Sequence, residues 1–281
     1  MQYVTNRELG SAEYDQFREF LEHQSGIVLG DSKLYLVKSR LAPLMNQFNI
    51  DSLSELVKRS MQVSERAMRS AVLDAMTTNE TLWFRDVYPF ELLKNKLFPE
   101  FKNLQRPLRI WSAASSSGQE CYSISMSFLE WRAANPGAMP RGIEVVGTDI
   151  SNKVLEQARQ AEYDGLALRR GLSPERQKHF FEQIDGKKTM RVKKEVRQFV
   201  SFRHLNLLDS YTLLGKFDII FCRNVLIYFS PDSKRKILSQ MRSALQPNAY
   251  LLLGASESIS GISEDFDMIR CNPGIIYQRK N

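Results

Sequence analysis

In the first 76 residues, apolar positions recur every three to four residues, the spacing that places side chains on one face of an α-helix. The pattern predicts four helices. The first covers 11–24, the second begins at about residue 31, the third begins after residue 52, and the fourth runs through residue 76. The apolar faces consist of Tyr14, Phe17, Leu21, Leu34, Val37, Leu41, Leu44, Met68, Val72 and Met76. We therefore predict a small N-terminal α-helical domain over residues 1–76.

Residues with strong positional preferences predict where these helices begin and end. Gly26 is expected to end the first helix, because glycine readily adopts the left-handed conformation found there. Asp31 or Ser32 is expected to cap the second helix, and Pro43 to kink it or end it early. A capping-box sequence that begins at Ser52 predicts the start of the third helix.

Beyond residue 107 the pattern changes to short apolar runs that alternate with helical segments. Residues 108–111 predict a strand, the small residues of 112–118 a tight turn, and Gln119 the start of a helix. These three elements form the first unit of a nucleotide-binding type of α/β fold, whose ligand lies beyond the carboxyl end of the strand. A second buried strand, 143–149, ends in Asp149, where a carboxylate can accept hydrogen bonds from a ribose diol.

Further strands and a helix continue this alternation. The predicted strands are 200–207, 217–222 and 250–254, the helix runs from Ser230 to Leu245, and a terminal hairpin covers 267–279. A parallel sheet that ends in a hairpin is typical of class I S-adenosylmethionine methyltransferases, whereas dinucleotide dehydrogenases more often repeat the βαβ half. We therefore expect the Rossmann-like sheet of a class I methyltransferase.

A basic insertion interrupts the alternation between the second and third strands. Residues 169–203 hold eleven basic and four acidic residues, so this segment alone carries a net charge of +7, the same as the whole chain. Its extended parts, 189–192 and 198–203, are predicted to form a small antiparallel sheet, with a turn at Asp185-Gly186. The charge fits a surface for an acidic partner or a solvated face, and charge alone leaves both open.

Composition limits the compartment and the chemistry. No apolar run of about 18 residues is present, and the first residues lack the apolar segment of a signal peptide. The three cysteines, Cys121, Cys222 and Cys271, are far apart and form no C-x-x-C pair. We therefore expect a cytoplasmic protein with free thiols, no metal site and no membrane insertion.

Residues 77–90 separate the helical and the α/β patterns and contain the sequence T-T-N-E-T-L-W-F-R-D. Its polar cluster indicates a domain junction, whereas Trp83 and Phe84 make it too aromatic for a plain linker. Pro89 suits the first turn of the helix that follows. The predicted organisation is a helical domain (1–76), a junction that contributes to the ligand site (77–90) and an α/β domain (91–281) with a basic β-subdomain (170–203).

Four motifs occur in order along the chain: T-T-N-E-T-L-W-F-R-D, W-S-A-A-S-S-S-G-Q-E-C-Y-S, G-T-D-I-S and F-D-I-I-F-C-R-N-V-L-I-Y-F. In this order they resemble the bacterial chemotaxis receptor methyltransferases of the CheR type, and the resemblance covers nearly the whole chain. Such enzymes transfer the methyl group of S-adenosylmethionine to glutamate side chains in the cytoplasmic helices of chemoreceptors. The resemblance implies this activity, this cofactor and this partner. We further expect a monomer that binds no nucleic acid.

The resemblance also implies roles for individual residues. Those expected to contact the cofactor are Asn79, Thr81, Arg85, Glu120, Asp149, Asn206, Leu207, Arg223 and Asn224. Glu120 is expected to hold the methionine amino end, and Asp149 the ribose. Arg85 and Tyr228 match the residues that face the transferred methyl group and are expected to be catalytic. The basic residues expected to lie along the receptor are Lys33, Lys38 and Arg40.

The chain departs from the family pattern in two places. It has S-S-G-Q-E-C-Y where the family commonly has S-T-G-E-E-P-Y, so Cys121 replaces a proline at a helix start. The predicted small sheet contains I-D-G-K-K-T-M-R-V and lacks the longer glycine-containing loop of members that grip a C-terminal receptor pentapeptide. We therefore expect a member that methylates receptors without that tether.

The residue types fit this chemistry. A glutamate has a reference pKa of ~4.3, so at neutral pH it is already the nucleophile and needs no general base. None of the three histidines, His23, His179 and His204, lies in a motif. The protein then has to desolvate and align two reactants, with Arg85 to orient the incoming carboxylate and Tyr228 to position it.

Two other functions fit part of the sequence. A nucleic-acid methyltransferase would explain the pI of 9.3 and the basic segment. Its D/N/S-P-P-Y/F tetrapeptide is missing after the fourth strand, where the chain reads R-N-V-L. A non-catalytic adaptor would keep the fold and bind cofactor or signalling partners. A degraded motif set would favour the adaptor, and here Asn79, Arg85, Glu120, Asp149 and Tyr228 are all present.

Overall fold

The structure is a computed structural model that describes residues 9–281, and its internal contacts divide the chain into two units. The helical unit extends up to Thr78 and also includes the short segment Tyr228–Ser230. The sheet unit comprises Asn79–Ile227 and Pro231–Asn281. Within residues 9–281, no helix has the length and apolar character needed to cross a membrane.

Four α-helices build the described part of the helical unit. They are α1 Ser11–Ser25, α2 Leu34–Phe48, α3 Leu53–Ser60 and α4 Arg66–Met76. The predicted apolar faces meet in one core, in which Phe17, Leu21, Val37, Leu41 and Val72 are fully buried. The predicted α-helical domain is thus confirmed.

The start and the middle of α2 differ from the prediction. A 3-10 turn, Asp31–Lys33, precedes the helix, so neither Asp31 nor Ser32 caps it. Pro43 lies inside the helix, which continues beyond it, so the predicted early end is wrong. Pro43 and Ser39, whose carbonyl loses its helical hydrogen bond, are both exposed, and water can bond that carbonyl instead.

Two other predicted helix ends are confirmed. Gly26 follows α1 in the left-handed conformation, with a φ of 78°, and its N–H donates to the Glu22 carbonyl. The Ser52 hydroxyl accepts a hydrogen bond from the Glu55 N–H (3.1 Å) and so caps α3.

A carboxylate at the start of α1 joins this helix to α3. Glu13 accepts hydrogen bonds from the Gly10 N–H (3.0 Å) and the Ser54 hydroxyl (2.6 Å), and it lies 2.9 Å from the Lys58 ammonium. The Ser54 hydrogen bond, followed by those from Gly10 and Lys58, lowers the pKa of Glu13 to about 2. This carboxylate therefore stabilises the fold in its ionised form.

Ten strands lie in the described part of the sheet unit. In chain order they are β1 Leu108–Ala113, β2 Ile143–Asp149, β3 Glu162–Tyr163, β4 Phe181–Gln183, β5 Met190–Val192, β6 Val200–His204, β7 Phe217–Cys222, β8 Leu245–Leu253, β9 Phe266–Arg270 and β10 Ile275–Arg279. The main sheet has the order β6-β2-β1-β7-β8-β10-β9, and the small sheet has the order β3-β5-β4. The first five strands of the main sheet are parallel, and β10 and β9 form an antiparallel hairpin at its edge. The predicted parallel sheet with a terminal hairpin is confirmed.

Helices connect the strands of the sheet unit. They are α5 Tyr88–Leu92, a π-helical turn Leu93–Leu97, α6 Phe98–Glu100, α7 Gln119–Ala134, α8 Asn152–Gln160, α9 Gly165–Arg169, α10 Pro174–Phe180, α11 Lys194–Arg197 and α12 Pro231–Ala244. Both α7 and α8 pack against β2 and β6. The Ser151 hydroxyl caps α8, as predicted, by accepting a hydrogen bond from the Val154 N–H (3.4 Å).

The strand order reverses at β1, which lies between β2 and β7. In open α/β sheets, ligands bind at such a point, beyond the carboxyl ends of the strands. The packing under this point is dense: Trp111 of β1 and Phe221 of β7 are fully buried. A Cβ on Gly147 of β2 would lie 2.7 Å from both the Cys121 Sγ and the Phe202 Cδ1. The strand ends that carry the site therefore have little freedom to shift.

The small sheet is built from other strands than those predicted. Residues 198–203 do not belong to it, because β6 runs parallel to β2 in the main sheet. Instead, β5 pairs antiparallel with β3 and β4. The turn at Asp185-Gly186 is confirmed, with a φ of 71° at Gly186. The sequence pattern misses β3 and β4 because two or three residues are too few to show an alternation.

Acidic residues of the sheet unit neutralise part of the basic segment. Glu162 contacts Lys187 (2.7 Å) and Arg191, and Glu130 accepts two hydrogen bonds from Arg176 (2.6 and 2.9 Å). Exposed basic residues of the segment include Arg169, Lys178, Lys188, Lys194 and Arg203. The segment therefore uses part of its charge inside the unit and presents the rest to solvent.

The three cysteines are free thiols, of which Cys121 and Cys222 are buried and Cys271 is half-buried. Burial raises the pKa of both buried thiols above the ordinary range. In the part of the chain that the structure describes, no group of three or more His, Cys, Asp or Glu side chains is placed to hold a metal ion.

The lowered pKa of Glu13 gives a pH-dependent stability. In an unfolded chain a glutamate titrates near ~4.3, so the stabilisation by Glu13 is complete above that pH and is lost as the pH falls towards about 2. Glu13→Gln is expected to lower the melting temperature at neutral pH, by an amount that shrinks through this range. Circular dichroism melts measure it, with Glu19→Gln, an exposed position of α1, as the control. An equal deficit at both ends of the range would contradict the assignment.

Candidate active site

The loop between β1 and α7 forms one wall of the candidate site. Ala114 and Ser116 adopt left-handed backbone conformations, with φ of 58° and 49°, and Gly118 follows with 95°. A Cβ on Gly118 would lie 3.0 Å from side-chain atoms of Ala158 and Phe202, so the turn requires glycine here. The run of small residues thus meets a requirement of the backbone as well as leaving space for a ligand.

Asp149, the last residue of β2, holds this loop in place. The side chain is buried, and its two oxygens accept hydrogen bonds from the Ser116 N–H and the Ser151 N–H, both at 2.9 Å. The carboxylate therefore joins the loop after β1 to the start of α8. This structural task stands beside the ribose contact that the resemblance implies.

A buried guanidinium joins several predicted site residues into one group, which we call the Arg223 cluster. Arg223 follows β7 directly, and 1% of its side chain is exposed. Its Nη1 donates to Glu120 (2.7 Å), and its Nη2 donates to Asp86 (2.7 Å) and to the Arg85 carbonyl (2.8 Å). The Ser112 hydroxyl donates to the second oxygen of Glu120 (2.8 Å). The cluster thus connects β1, α7, the junction and the loop after β7.

Residues 79–90 of the junction belong to the sheet unit. Trp83 is fully buried, with its ring edge-to-face against Tyr163 at 4.8 Å between centroids. The main-chain N–H of Trp83 donates to the Arg170 carbonyl (3.0 Å). The main-chain carbonyl of Asn79 accepts a hydrogen bond from the Ser116 hydroxyl (2.8 Å). Asn79 therefore lies directly beside the loop after β1.

The part of the junction that carries Arg85 has an unusual backbone conformation. Phe84, Asp86 and Val87 have φ of 50°, 65° and 55°, a region that costs a non-glycine residue on the order of 1–3 kcal/mol. Such strain persists where the surrounding structure imposes it. Here the Arg176 guanidinium lies 3.7 Å from the Phe84 ring centroid, and Asp86 is held by the Arg223 cluster.

Other predicted cofactor residues make local contacts. The Arg85 guanidinium donates to the Glu80 carbonyl (3.3 Å). Thr81, which follows Glu80 in the chain, is half-buried. The Asn206 side chain accepts a main-chain hydrogen bond from two residues further on (3.0 Å), and Leu207 is buried. Asn206 and Leu207 follow β6, so they lie at the carboxyl end of the strand next to β2.

The Arg223 Nε has no hydrogen-bond partner among residues 9–281, and the same holds for two buried oxygen atoms at the carboxyl ends of the strands. The two oxygens are the side-chain oxygen of Asn224, after β7, and the hydroxyl of Ser115, after β1. Buried polar atoms are normally hydrogen-bonded, so such a pair indicates where a ligand or water would bind. Both atoms stand at the point where the strand order reverses.

The remaining predicted residues belong to the helical unit. Tyr228 is half-buried at the end of the 3-10 turn Leu226–Tyr228, and its carbonyl accepts a hydrogen bond from the Val28 N–H (2.9 Å). Lys33 is exposed, with its ammonium 5.7 Å from the centroid of the Tyr35 ring, and Lys38 is half-buried. These residues are therefore placed by contacts within the helical unit.

Arg40 provides hydrogen bonds to main-chain carbonyls at the C-terminal end of α4. Its guanidinium donates to the carbonyls of Met76 (2.6 Å) and Thr77 (3.3 Å) and to the Thr78 hydroxyl (2.9 Å). The last carbonyls of a helix have no intrahelical donor, so these contacts stabilise its C-terminus. Arg40 thus has a structural role beside the receptor contact that the resemblance implies.

Three residues that the sequence does not single out hold segments of the candidate site in place. Asp86 binds Arg223, Arg176 lies over the Phe84 ring, and Glu257 accepts the N–H of Asn224 (2.6 Å). The only available signal for Asp86 is its position inside the junction motif. The partners of Glu257 are main-chain donors, which leave no pattern in a sequence.

Comparison with known proteins covers both units. Two family models match: "CheR methyltransferase, all-alpha domain" over residues 12–77 and "CheR methyltransferase, SAM binding domain" over residues 79–275. The chain is 58% identical to the chemotaxis protein methyltransferase of Vibrio parahaemolyticus, over 97% of this chain and 98% of the other. It is 52% identical to chemotaxis protein methyltransferase 1 of Pseudomonas aeruginosa (96% and 98% covered). It is 31% identical to the chemotaxis protein methyltransferase of Salmonella typhimurium (95% and 91% covered).

Loss of the Arg223 guanidinium is expected to be strongly destabilising, because Glu120 and Asp86 would lose the cation that they share. Arg223→Met should lower the free energy of unfolding by about 3 kcal/mol, the lower end for breaking a buried ion pair, since both carboxylates retain some exposure. Equilibrium urea unfolding measures the change. Arg235→Met removes an exposed guanidinium from α12 and should change it by less than about 0.5 kcal/mol. Equal effects of the two substitutions would refute this role of the cluster.

Proposed function

The chain belongs to the CheR family of S-adenosylmethionine-dependent chemotaxis methyltransferases, and we propose that it methylates glutamate side chains of bacterial chemoreceptors. The products are glutamyl methyl esters in the receptors' cytoplasmic helices and S-adenosylhomocysteine. The enzyme acts in the cytoplasm as a monomer, without a metal. The observation that carries the proposal is the Arg223 cluster, which links Glu120 to the loop that bears Arg85.

The residues of the site fit S-adenosylmethionine by charge and by hydrogen-bond type. The cofactor carries a sulfonium and an ammonium cation, and when bound it supplies a methyl group on a good leaving group. Glu120 and Asp86 against Arg223 leave one net negative formal charge, and Asp149 adds another. The buried oxygen of Asn224 requires a donor, which the amino groups and hydroxyls of the cofactor can supply.

We assign the two ends of the cofactor to different carboxylates. Glu120, at the first turn of α7, binds the methionine ammonium, and Asp149 binds the ribose hydroxyls. A carboxylate suits both tasks because it accepts hydrogen bonds from charged and neutral donors. The other contacts are assigned to Asn79, Thr81, Arg85, Asn206, Leu207, Arg223 and Asn224.

The transfer requires no proton acceptor. A receptor glutamate is ionised at neutral pH, and its oxygen bonds to the methyl carbon as the carbon–sulfur bond breaks. Arg85 orients the incoming carboxylate by a loose contact, since a tight bidentate pair would weaken the nucleophile. Tyr228 positions the same group. Alignment and removal of water can contribute roughly 7–11 kcal/mol in favourable cases.

We assign receptor binding to the basic face of α2. Between residues 31 and 51 the only charged side chains are Lys33, Lys38 and Arg40. The positive charge of this segment therefore complements the acidic side chains of a receptor helix. Tyr35, with 63% of its surface exposed, adds an aromatic contact beside Lys33. Arg40 also anchors α2 to the end of α4, which sets the position of this face.

We further propose that methylation does not depend on a C-terminal receptor pentapeptide. The connection between β4 and β5 consists of residues 184–189 and turns at Asp185-Gly186. It lacks the longer glycine-containing loop of members that grip such a peptide. Receptor recognition then rests on α2.

The proposal is tested with purified protein, radiolabelled S-adenosylmethionine and membranes from a bacterium rich in chemoreceptors. We expect label on a receptor-sized band that mild alkali releases as methanol. Alkali-stable label on RNA or DNA would establish nucleic-acid methylation instead, and cofactor binding without label on any receptor would favour the adaptor. Receptors with and without their last five residues should be labelled at the same rate. A large loss on their removal would refute tether independence.

Two variants are expected to separate transfer from receptor binding. Arg85→Ala should lower the rate at saturating receptor by about tenfold to a hundredfold, because the carboxylate loses its orientation. Its cofactor affinity should fall far less than the rate, and equal losses in both would make Arg85 a cofactor ligand only. Lys33→Glu should raise the KM for receptor at nearly constant kcat. Lys236→Glu, an exposed charge reversal on α12, is the control.

A further inference from the structure

The carboxylate of Glu257 binds four main-chain N–H groups. One oxygen accepts hydrogen bonds from Asn224 (2.6 Å) and Gly254 (2.9 Å), and the other accepts them from Val225 (3.0 Å) and Ile227 (3.3 Å). Glu257 lies in the loop after β8, whereas three of its four donors lie in the loop after β7. One side chain therefore gathers the amides of a neighbouring loop.

The surroundings of Gly254 show how closely the two loops fit. A Cβ at this position would lie 2.7 Å from the Asn224 Nδ2, 2.8 Å from the Glu257 Oε2 and 2.9 Å from the Asn224 main-chain nitrogen. Any side chain at Gly254 would therefore displace the carboxylate or the loop that it holds. The glycine at the end of β8 is required by this contact.

The contact also fixes a backbone conformation next to the Arg223 cluster. Asn224 has a φ of 57°, in the left-handed region that few residues other than glycine adopt readily, and its N–H makes the shortest of the four hydrogen bonds. The N–H that Glu257 accepts belongs to the peptide group that joins Arg223 to Asn224, so the carboxylate fixes the peptide directly after Arg223. The geometry of the cluster thus depends on a carboxylate outside it.

We propose that Glu257 is a positioning residue for methyl transfer, which holds the loop 223–227 through its main chain. The loop contributes two expected cofactor contacts, Arg223 and Asn224, and leads directly into Tyr228. Glu257 acts through the loop and touches none of the reacting groups. The expected effect on methyl transfer rests on the proposed function, whereas the hydrogen bonds of Glu257 to the loop do not.

A carboxylate suits this task better than a neutral side chain of the same size. Hydrogen bonds to an ionised acceptor are roughly twice as strong as neutral ones, and both oxygens of Glu257 accept. A glutamine would keep one acceptor and turn its own N–H donors towards two of the amides. Glu257→Gln therefore removes one of the two acceptor oxygens while the volume of the side chain stays nearly the same.

The test compares wild type with Glu257→Gln, Glu257→Asp and Gly254→Ala, and with the control Glu264→Gln, an exposed glutamate of the following segment. Hydrogen exchange of a peptide that covers 223–227 reports the loop without any substrate. Calorimetry with S-adenosylhomocysteine measures affinity, and single-turnover labelling of receptor at saturating cofactor measures transfer. Melting temperature reports the fold as a whole.

In Glu257→Gln we expect exchange in the loop to accelerate by about tenfold or more while other peptides stay as in wild type. The transfer rate should fall by about tenfold or more, with weaker S-adenosylhomocysteine binding. Gly254→Ala, which presses on the same carboxylate, should give the same pattern. Glu257→Asp, which keeps the charge, should recover part of the rate.

Unchanged loop exchange and transfer in Glu257→Gln would overturn the proposal. Faster exchange throughout the sheet unit, with a lower melting temperature, would assign Glu257 a general structural role and would also overturn it. If the wild type fails to label receptors, the proposed function fails. Loop exchange and S-adenosylhomocysteine affinity then still decide whether Glu257 holds this loop at the cofactor site.

Discussion

A guanidinium with almost no exposure to water requires hydrogen-bond acceptors from the protein, and this requirement organises the candidate site. Transfer of an ion from water into a protein costs several kcal/mol unless well-placed partners replace the water. Arg223 finds such partners in Glu120, Asp86 and the Arg85 carbonyl, which come from separate segments of the chain. The segments therefore have to reach their final positions together, because any one of them left out of place would leave a buried charge without its partner.

The loops around this cluster share one form of support. Each is held through its main-chain groups by a charged side chain at the end of a neighbouring strand or in the following loop. Asp149 holds the loop after β1, Arg223 holds the loop that bears Arg85, and Glu257 holds the loop after β7. Main-chain hydrogen bonds fix a loop without occupying the side chains that point from it. At Asp86 and Asn224 these contacts hold the backbone in the left-handed conformation, which residues other than glycine adopt at a cost in free energy.

The elements that the sequence predicts correctly are those with a visible period, and the errors have physical reasons. The helices of the first unit, the parallel strands and the final hairpin all repeat a buried face often enough to be recognised. The strands β3 and β4 are too short for that, so the sequence pattern predicts 198–203 as part of the small sheet in their place. Pro43 predicts a kink or an early end of α2, and the early end does not occur, because a sequence does not show that the affected carbonyl is exposed. Contacts of side chains with distant main-chain groups, such as those of Glu257, follow from the fold alone.

Burial of two of the three thiols makes the protein selectively reactive. Cys121 and Cys222 are enclosed, and burial suppresses their thiolate forms, which are the species that attack alkylating reagents. Cys271 is half-buried on the connection between β9 and β10, at the edge of the main sheet. A maleimide dye or spin label will therefore attach at one native position and report on the protein while the residues of the candidate site remain unaltered.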